Sequence, residues 1–153
     1  MQSSVSSSCT VRPATPADAD VLAAMFSIFD GSPLTAEQII SGMQACQSFL
    51  TTFLGEMDGQ VAGFACLRLL PQLQDESPCA EVTDIYVESA FRRRGVARAL
   101  LEHIDGVAQA AGATEIILTT GFDNEVAQAT YQACGYARWA LAMKKRYAGD
   151  HGR

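Results

Sequence analysis

The stretch Asp84-Ile85-Tyr86-Val87-Glu88-Ser89-Ala90-Phe91-Arg92-Arg93-Arg94-Gly95-Val96-Ala97-Arg98-Ala99-Leu100-Leu101 decides the fold. A β-branched, apolar run ends in a polar turn, three arginines and a glycine follow, and a helical pattern starts at once. The first N–H groups of a helix have no intrahelical acceptor, and the helix dipole adds partial positive charge at that end. Arginines beside such an end make a site for a polyanionic phosphate. Gly95 removes the side chain that would stand between backbone and phosphate. The segment therefore reads as a pyrophosphate clamp. Three cations at a helix start oppose the dipole, so a purely solvating role for Arg92, Arg93 and Arg94 is physically awkward.

Working outward, Val96, Leu100, Ile104, Val107 and Ala111 share one face of a helix that Gly112 ends. Residues 115–120 form a short β-branched run, predicted as a buried parallel strand. Asp123-Asn124-Glu125 opens another helix, with Ala127, Tyr131 and Cys134 on one side and Gly135 as terminator. Residues 139–147 are predicted as a last strand, although Lys144-Lys145-Arg146 interrupts its pattern. In the other direction, residues 80–87 read as a long strand rich in β-branched and aromatic residues. Before it, Asp58-Gly59 is a hairpin signal between strands at 48–57 and 60–70. Thr35 opens a helix containing Ile39, Ile40 and Met43, and Thr15-Pro16 opens another that Gly31 breaks. Residues 11–13 make a first strand. The order β-α-α-β-β-β-α-β-α-β describes one mixed α/β domain over residues 11–147, between an N-terminal extension (1–10) and a C-terminal tail (148–153).

Bulk properties narrow the function. The chain has 153 residues with 48% hydrophobic and 18% charged content, enough for one domain with a true core. A net charge of −6 argues against general nucleic-acid binding and suits a cationic substrate. The five cysteines are widely spaced with no C-x-x-C pair, and His103 and His151 are the only histidines, so no zinc pattern exists and no metal is expected. They read as reduced thiols of a cytoplasmic protein. Arg68 breaks the longest apolar stretch, so no membrane span is expected. The serine-rich residues 1–10 lack the basic start and apolar centre of a signal peptide. Neither a Walker loop nor a Gly-x-Gly-x-x-Gly dinucleotide fingerprint is present.

These residues resemble the GNAT superfamily, the acyl-coenzyme-A-dependent N-acetyltransferases. The family's central motif, Gln/Arg-x-x-Gly-x-Gly/Ala, stands here as Arg92-Arg93-Arg94-Gly95-Val96-Ala97. Its later signature stands as Asn124, Tyr131 and Gly135-Tyr136, and the element order matches over nearly the whole chain. The resemblance implies a GNAT fold, a mixed central sheet flanked by helices, with acetyl-CoA as co-substrate. It implies that backbone N–H groups from Arg93 through Arg94, Gly95, Val96, Ala97 and Arg98 hold the pyrophosphate, with Arg92 also in the cofactor site. The pantetheine would lie along Ile85, Tyr86 and Val87, with Asn124 bonding it or capping its own helix. This requires the strands at 80–87 and 115–120 to splay apart.

The implied chemistry is direct attack by an amine on the thioester in a ternary complex. A backbone N–H near Ile85 or Tyr86 would steady the oxyanion, and Tyr131 would donate a proton to the departing thiolate. Two carboxylates are candidates for accepting the amine's proton. Glu81 lies eleven positions before Arg92, the spacing of the glutamate in the histone-acetyltransferase branch. Asp84 lies eight before, the offset of an aspartate in aminoglycoside 3-N-acetyltransferases. In a regular strand an odd separation puts Glu81 and Asp84 on opposite faces, unless the family's usual bulge intervenes. Tyr86, Phe122, Trp139 and Tyr147 are candidates for an acceptor pocket or for the core. Cys134 lacks a neighbouring histidine and reads as buried rather than nucleophilic. The acceptor is expected to be a small cationic primary amine. A peptide or protein amine, or a non-catalytic acyl-CoA sensor, is the alternative. Relatives are often homodimers, so that assembly is also expected.

Overall fold

The computed structural model describes residues 8–148. Most of the predicted extension and tail, and His151, lie outside the described residues. The elements are β1 (Thr10–Pro13), α1 (Ala19–Asp30), α2 (Ala36–Cys46), β2 (Leu50–Met57), β3 (Gln60–Leu70), β4 (Cys79–Val87), α3 (Val96–Ala110), β5 (Ile116–Leu118) and α4 (Glu125–Ala133). Single 3-10 turns at Pro16–Asp18 and Ser89–Phe91 lead into α1 and into the arginine turn. The predicted punctuation operates as read. Gly31 ends α1 in the left-handed conformation (φ 75°). Thr35 accepts from the Gln38 backbone N–H at 3.2 Å, while the Gln38 side chain accepts from the Thr35 N–H at 2.9 Å, closing a capping box on α2. Asp58 and Gly59 both take positive φ, 56° and 75°, as a two-residue hairpin turn requires.

The strands form one sheet in the order β1-β2-β3-β4-β5. All pairs are antiparallel except β4–β5, which is parallel. Helix α3 covers one face, burying Val96, Leu100, Leu101 and Ile104 against Phe53, Ala65, Leu67 and Val82. The other face packs Leu22 and Met25 of α1, with Ile39 of α2, on Leu54, Phe64, Cys66 and Tyr86. At the end of β4 the neighbouring strand must be glycine, since a Cβ on Gly63 would stand 2.4 Å from the Tyr86 carbonyl oxygen.

One predicted element does not form. Residues 139–147 are irregular and pair with no strand among the described residues, so the sheet has five strands rather than six. A strand needs a partner edge. The adjacent edge, β5, is only three residues long, and Arg138 at the start of the segment is held by Gln128 of α4 at 2.6 Å.

Candidate active site

The register of β4 settles which residues share a face. Cys66 pairs with Asp84, but Leu67 pairs with Val82, so Thr83 is an extra residue without a partner on β3. The regular-strand expectation that Glu81 and Asp84 point to opposite faces is therefore overturned by a β-bulge. Glu81 lies opposite Arg68, and Asp84 lies opposite Cys66, two residues away on the same side of β3. Both carboxylates thus join the face that carries α1 and α2. Cross-strand rows run over that face: Leu50, Arg68, Glu81 and Ile117; then Thr52, Cys66 and Asp84; then Leu54, Phe64 and Tyr86.

Arg68 forms an ion pair with Glu81 through Nη2. Asp84 accepts from the Thr83 hydroxyl at 2.7 Å and is half-buried. The Cys66 thiol shares a 3.3 Å hydrogen bond with Thr52, and burial pushes its pKa up to about 12, which leaves it inert as a nucleophile. Tyr86 is buried in an aromatic cluster, 6.0 Å from Phe64 and 6.2 Å from Phe29 between ring centroids. Its hydroxyl donates to Glu88 at 3.4 Å, and burial followed by the Glu88 charge raises its pKa. Phe122, Trp139 and Tyr147 line no such surface, being 88%, 78% and 82% exposed. The aromatic wall beside Asp84 comes instead from Phe26 and Phe29 of α1, with Phe26 stacked 4.2 Å from Phe64. The helical spacing of α1 revealed those residues only as a core face.

The arginine turn is strained in a purposeful way. Arg92 is extended (φ −63°, ψ 151°), Arg93 is left-handed (φ 60°) and Gly95 is left-handed (φ 87°). Left-handed residues stand on both sides of Arg94, and alternation of this kind is a backbone pattern that can turn successive N–H groups toward an anion. The turn opens into α3, whose first hydrogen bond back to the turn is Ala99 N–H to Gly95 O at 3.0 Å. The N–H groups of Val96, Ala97 and Arg98 therefore have no intrahelical acceptor. A Cβ placed on Gly95 would meet no protein atom within 4 Å, so the space beside it is open.

The cations are not equivalent. Arg92 Nε donates to the Val87 carbonyl at 3.1 Å and holds the end of β4. Arg94 pairs with Asp58 at 2.7 Å and lies over the Phe91 ring at 5.4 Å. Arg98 pairs with Glu102 one turn along α3 at 2.7 Å. Among the described residues no ion pair involves Arg93. The Asp58 contact joins the hairpin to the turn across 36 residues of sequence, and nothing local to Asp58 signals it.

Next to the turn, β4 has an open edge. Its parallel pairing with β5 covers only Ala80, Glu81 and Val82. From Thr83 to Val87 no β5 residue pairs with it, which is the splay that the sequence reading required. Ile85 and Val87 pack with the α3-side core, while Tyr86 packs with the α1 side. Tyr131 of α4 packs against the α3-side core, with its ring 6.1 Å from Tyr136. Burial raises its pKa, so it stays protonated through neutral pH. Its hydroxyl makes no hydrogen bond among the described residues. Asn124 caps α4, its Oδ1 accepting from the Ala127 N–H at 3.2 Å, which leaves the amide NH2 uncommitted by that bond. Tyr136 anchors the end of α4 by donating to Asp105 of α3 at 3.2 Å. Cys134 is half-buried and desolvation raises its pKa, which removes the case for a thiol nucleophile. His103 packs edge-on against Phe53, with 5.0 Å between centroids.

A surface depression of about 830 Å³ under the 69–78 loop and Ala111 opens at the start of β4, away from the arginine turn. It is a shallow saddle beneath a polar loop and holds none of the candidate groups. Among the described residues no cluster of His, Cys, Asp or Glu is placed to hold a metal ion. No helix among them is long and apolar enough to cross a membrane.

Comparison with known proteins gives this geometry a family. Residues 22–136 match the model of the Acetyltransferase (GNAT) family. The chain belongs to that family. This GNAT protein is 28% identical over 137 residues to an aminoglycoside N(6')-acetyltransferase type 1 of Stenotrophomonas maltophilia, covering 86% of this chain and 88% of that protein. It is 30% identical over 90 residues to the protein of the same name from Salmonella typhimurium, covering 57% and 62%. Among solved structures, an acetyltransferase of Agrobacterium tumefaciens superposes with a TM-score of 0.82 at 24% identity, over 90% of this chain and 99% of that one. The aminoglycoside N-acetyltransferase AAC(6')-Iy, in complex with a CoA-containing bisubstrate analogue, superposes with a TM-score of 0.80 at 22% identity, over 94% and 100%. The likeness to aminoglycoside acetyltransferases therefore stands, with relatives named for the 6' rather than the 3 position. The GNAT protein is an acetyltransferase, and acetyl-CoA is the co-substrate that its family uses. The open β4 edge, the arginine turn and the bare N–H groups of α3 suit the amides and pyrophosphate of that molecule.

Proposed function

We propose that this GNAT enzyme transfers an acetyl group from acetyl-CoA to a primary amine of a small cationic molecule by direct attack in a ternary complex, with amino sugars of the aminoglycoside class as the first acceptors to test. The observation that carries this reading is the bulge at Thr83, which puts Asp84 on the α1 face while the β4 edge beside it lies open. A thioester laid along that edge has Asp84 on one side of the strand and Tyr131, packed with the α3-side core, on the other. The amine approaches from the α1 face, where Asp84 attracts the ammonium and takes one proton, freeing the lone pair that attacks the thioester carbon; the second proton of the nitrogen passes to water as the amide forms. The carbonyl oxygen becomes an oxyanion beside the N–H groups near Ile85 and Tyr86. The C–S bond then breaks and the sulfur leaves as a thiolate. Ordinary tyrosine and thiol pKa values are about 10 and about 8.5. Burial raises Tyr131 further, so its hydroxyl acts chiefly by donating a hydrogen bond to the developing thiolate, which finally takes its proton from water. Arg93, Arg94, Gly95, Val96, Ala97 and Arg98 hold the pyrophosphate, Arg92 steadies the strand end, and Asn124 offers its amide to the pantetheine arm. The relatives named as aminoglycoside N(6')-acetyltransferases and the net charge of −6 support a cationic acceptor.

The test is thiol release from acetyl-CoA with a panel of aminoglycosides, polyamines, amino acids and lysine peptides. Aminoglycosides are expected to give the highest kcat/KM, and Tyr131→Phe to lower kcat about ten- to hundredfold with acetyl-CoA affinity kept. Turnover confined to peptides would replace the acceptor class, and no turnover with any amine would leave an acyl-CoA sensor.

The same reading includes a cytoplasmic enzyme whose single domain spans residues 11–147 and assembles as a homodimer. Support for assembly comes from the unpaired segment at 139–147, in which Leu141 and Met143 are 71% and 90% exposed alongside Trp139 and Tyr147. Apolar side chains alternating on an unpaired segment are suited to strand addition. Light scattering after size exclusion is expected to give twice the chain mass for the full protein and one chain mass after truncation following residue 136. A monomeric full-length protein at tens of micromolar would remove the dimer.

A further inference from the structure

Of the two carboxylates on the α1 face, one is already engaged. Arg68 and Glu81 lie directly opposite in the β3–β4 ladder and are joined through Nη2 and Oε2. The row containing them is closed by apolar residues on both sides, Leu50 on β2 and Ile117 on β5. Each charge therefore has only the other as an ionic partner in its row. Arg68 and Glu81 are 37% and 22% exposed, so neither is well solvated. The pair is also poorly built for stability alone. Its hydrogen bonding is single rather than forked, and the Arg68 Nε is buried with no hydrogen-bond partner among the described residues. An arginine retained for stability would normally close a bidentate fork and satisfy its buried donor. Asp84, one row along, has no cation on its ladder partner, which is Cys66; it accepts a hydrogen bond from the neutral Thr83 hydroxyl.

We propose that Arg68 is a positioning residue of the acceptor site: by holding Glu81 it leaves Asp84 as the carboxylate that meets the incoming amine, in register with the open β4 edge. The proposal rests on the acetyl-transfer reading above. A cationic acceptor facing two free carboxylates a row apart would divide itself between them. One mode would bring the nitrogen to the thioester, and the other would hold it a row, roughly 7 Å, away. Arg68 suppresses the second mode by supplying Glu81 with an internal cation. Ground-state binding that does not carry into the transition state lowers KM and kcat together.

The measurement is steady-state kinetics of the full chain with the best acceptor from the panel, for Arg68→Met, Arg68→Lys, Glu81→Gln and the double variant Arg68→Met/Glu81→Gln. Thermal midpoints are recorded for each. Arg68→Met is expected to lower the acceptor KM and kcat by the same factor, about fivefold, leaving kcat/KM unchanged, as one freed charge contact would. Arg68→Lys retains a cation and is expected to recover most of both values. Adding Glu81→Gln to Arg68→Met removes the competing charge and is expected to restore KM and kcat, where a purely structural role would move the midpoint and leave the KM-to-kcat pattern alone. If Arg68→Met folds poorly, Arg68→Lys against the double variant carries the same comparison. Failure of the double variant to restore kcat overturns the proposal, as does a Glu81→Gln loss as large as that of Asp84→Asn, which would make Glu81 the reacting carboxylate. If the unaltered chain acetylates no amine, the acetyl-transfer reading falls and this proposal falls with it. If it turns over normally without the reciprocal pattern, only the role of Arg68 falls.

Discussion

Replacing Gly95 by valine is expected to abolish acetyl-CoA binding, seen as loss of the titration heat that the unaltered chain gives in calorimetry. Gly95 has φ 87° at the N-cap of α3. A β-branched residue is a steric outlier in that region. To escape, the turn must rotate, and with it the N–H groups of Val96, Ala97 and Arg98 swing away from a common focus. Two lost hydrogen bonds to a charged group, at about 1.5 kcal/mol each, amount to about a hundredfold in affinity. Gly95→Ala separates the causes. Its Cβ meets no protein atom within 4 Å, so protein sterics tolerate it. What remains is the backbone strain and the obstruction of the ligand. An unchanged thermal midpoint with weakened acetyl-CoA binding in Gly95→Ala would place the effect at the phosphate. Intact affinity in Gly95→Val would sink the clamp.

Asp84→Asn is expected to lower kcat with the best acceptor by about 10²- to 10⁴-fold, the usual contribution of a positioned proton acceptor. The variant conserves shape, and its amide oxygen can still accept from the Thr83 hydroxyl, so the thermal midpoint should stay near that of the parent. A rise in acceptor KM with kcat untouched would instead make Asp84 an ammonium-binding group, with the amine losing its proton elsewhere.

Much of this was legible in the order of residues. The arginine turn followed at once by a helical repeat identified the β4–α3 junction and singled out the proposed anion site, because a helix start, a left-handed glycine and clustered cations are local features. The capping box at Thr35, the Asp58-Gly59 hairpin and the terminators Gly31, Gly112 and Gly135 are local for the same reason. The last strand was misjudged because alternation shows what a segment would bury and not whether an edge exists to receive it. The aromatic candidates divide likewise: Phe122 and Trp139 are exposed, whereas Phe29 reaches Tyr86 and Phe26 stacks on Phe64 only because α1 packs across β3.

The sequence by itself pointed to the family, to the proposed coenzyme half of the site, and to two candidate carboxylates for the proposed acceptor half. Tertiary structure decided how they stand to one another. A single unpaired residue, Thr83, turns Asp84 onto the face of Glu81, because inserting one residue inverts the alternation of a strand relative to its neighbour. The ladder then brings Arg68 against Glu81 and the hairpin brings Asp58 against Arg94. Pairings across 13 and 36 residues are set by register and packing, which no local pattern encodes.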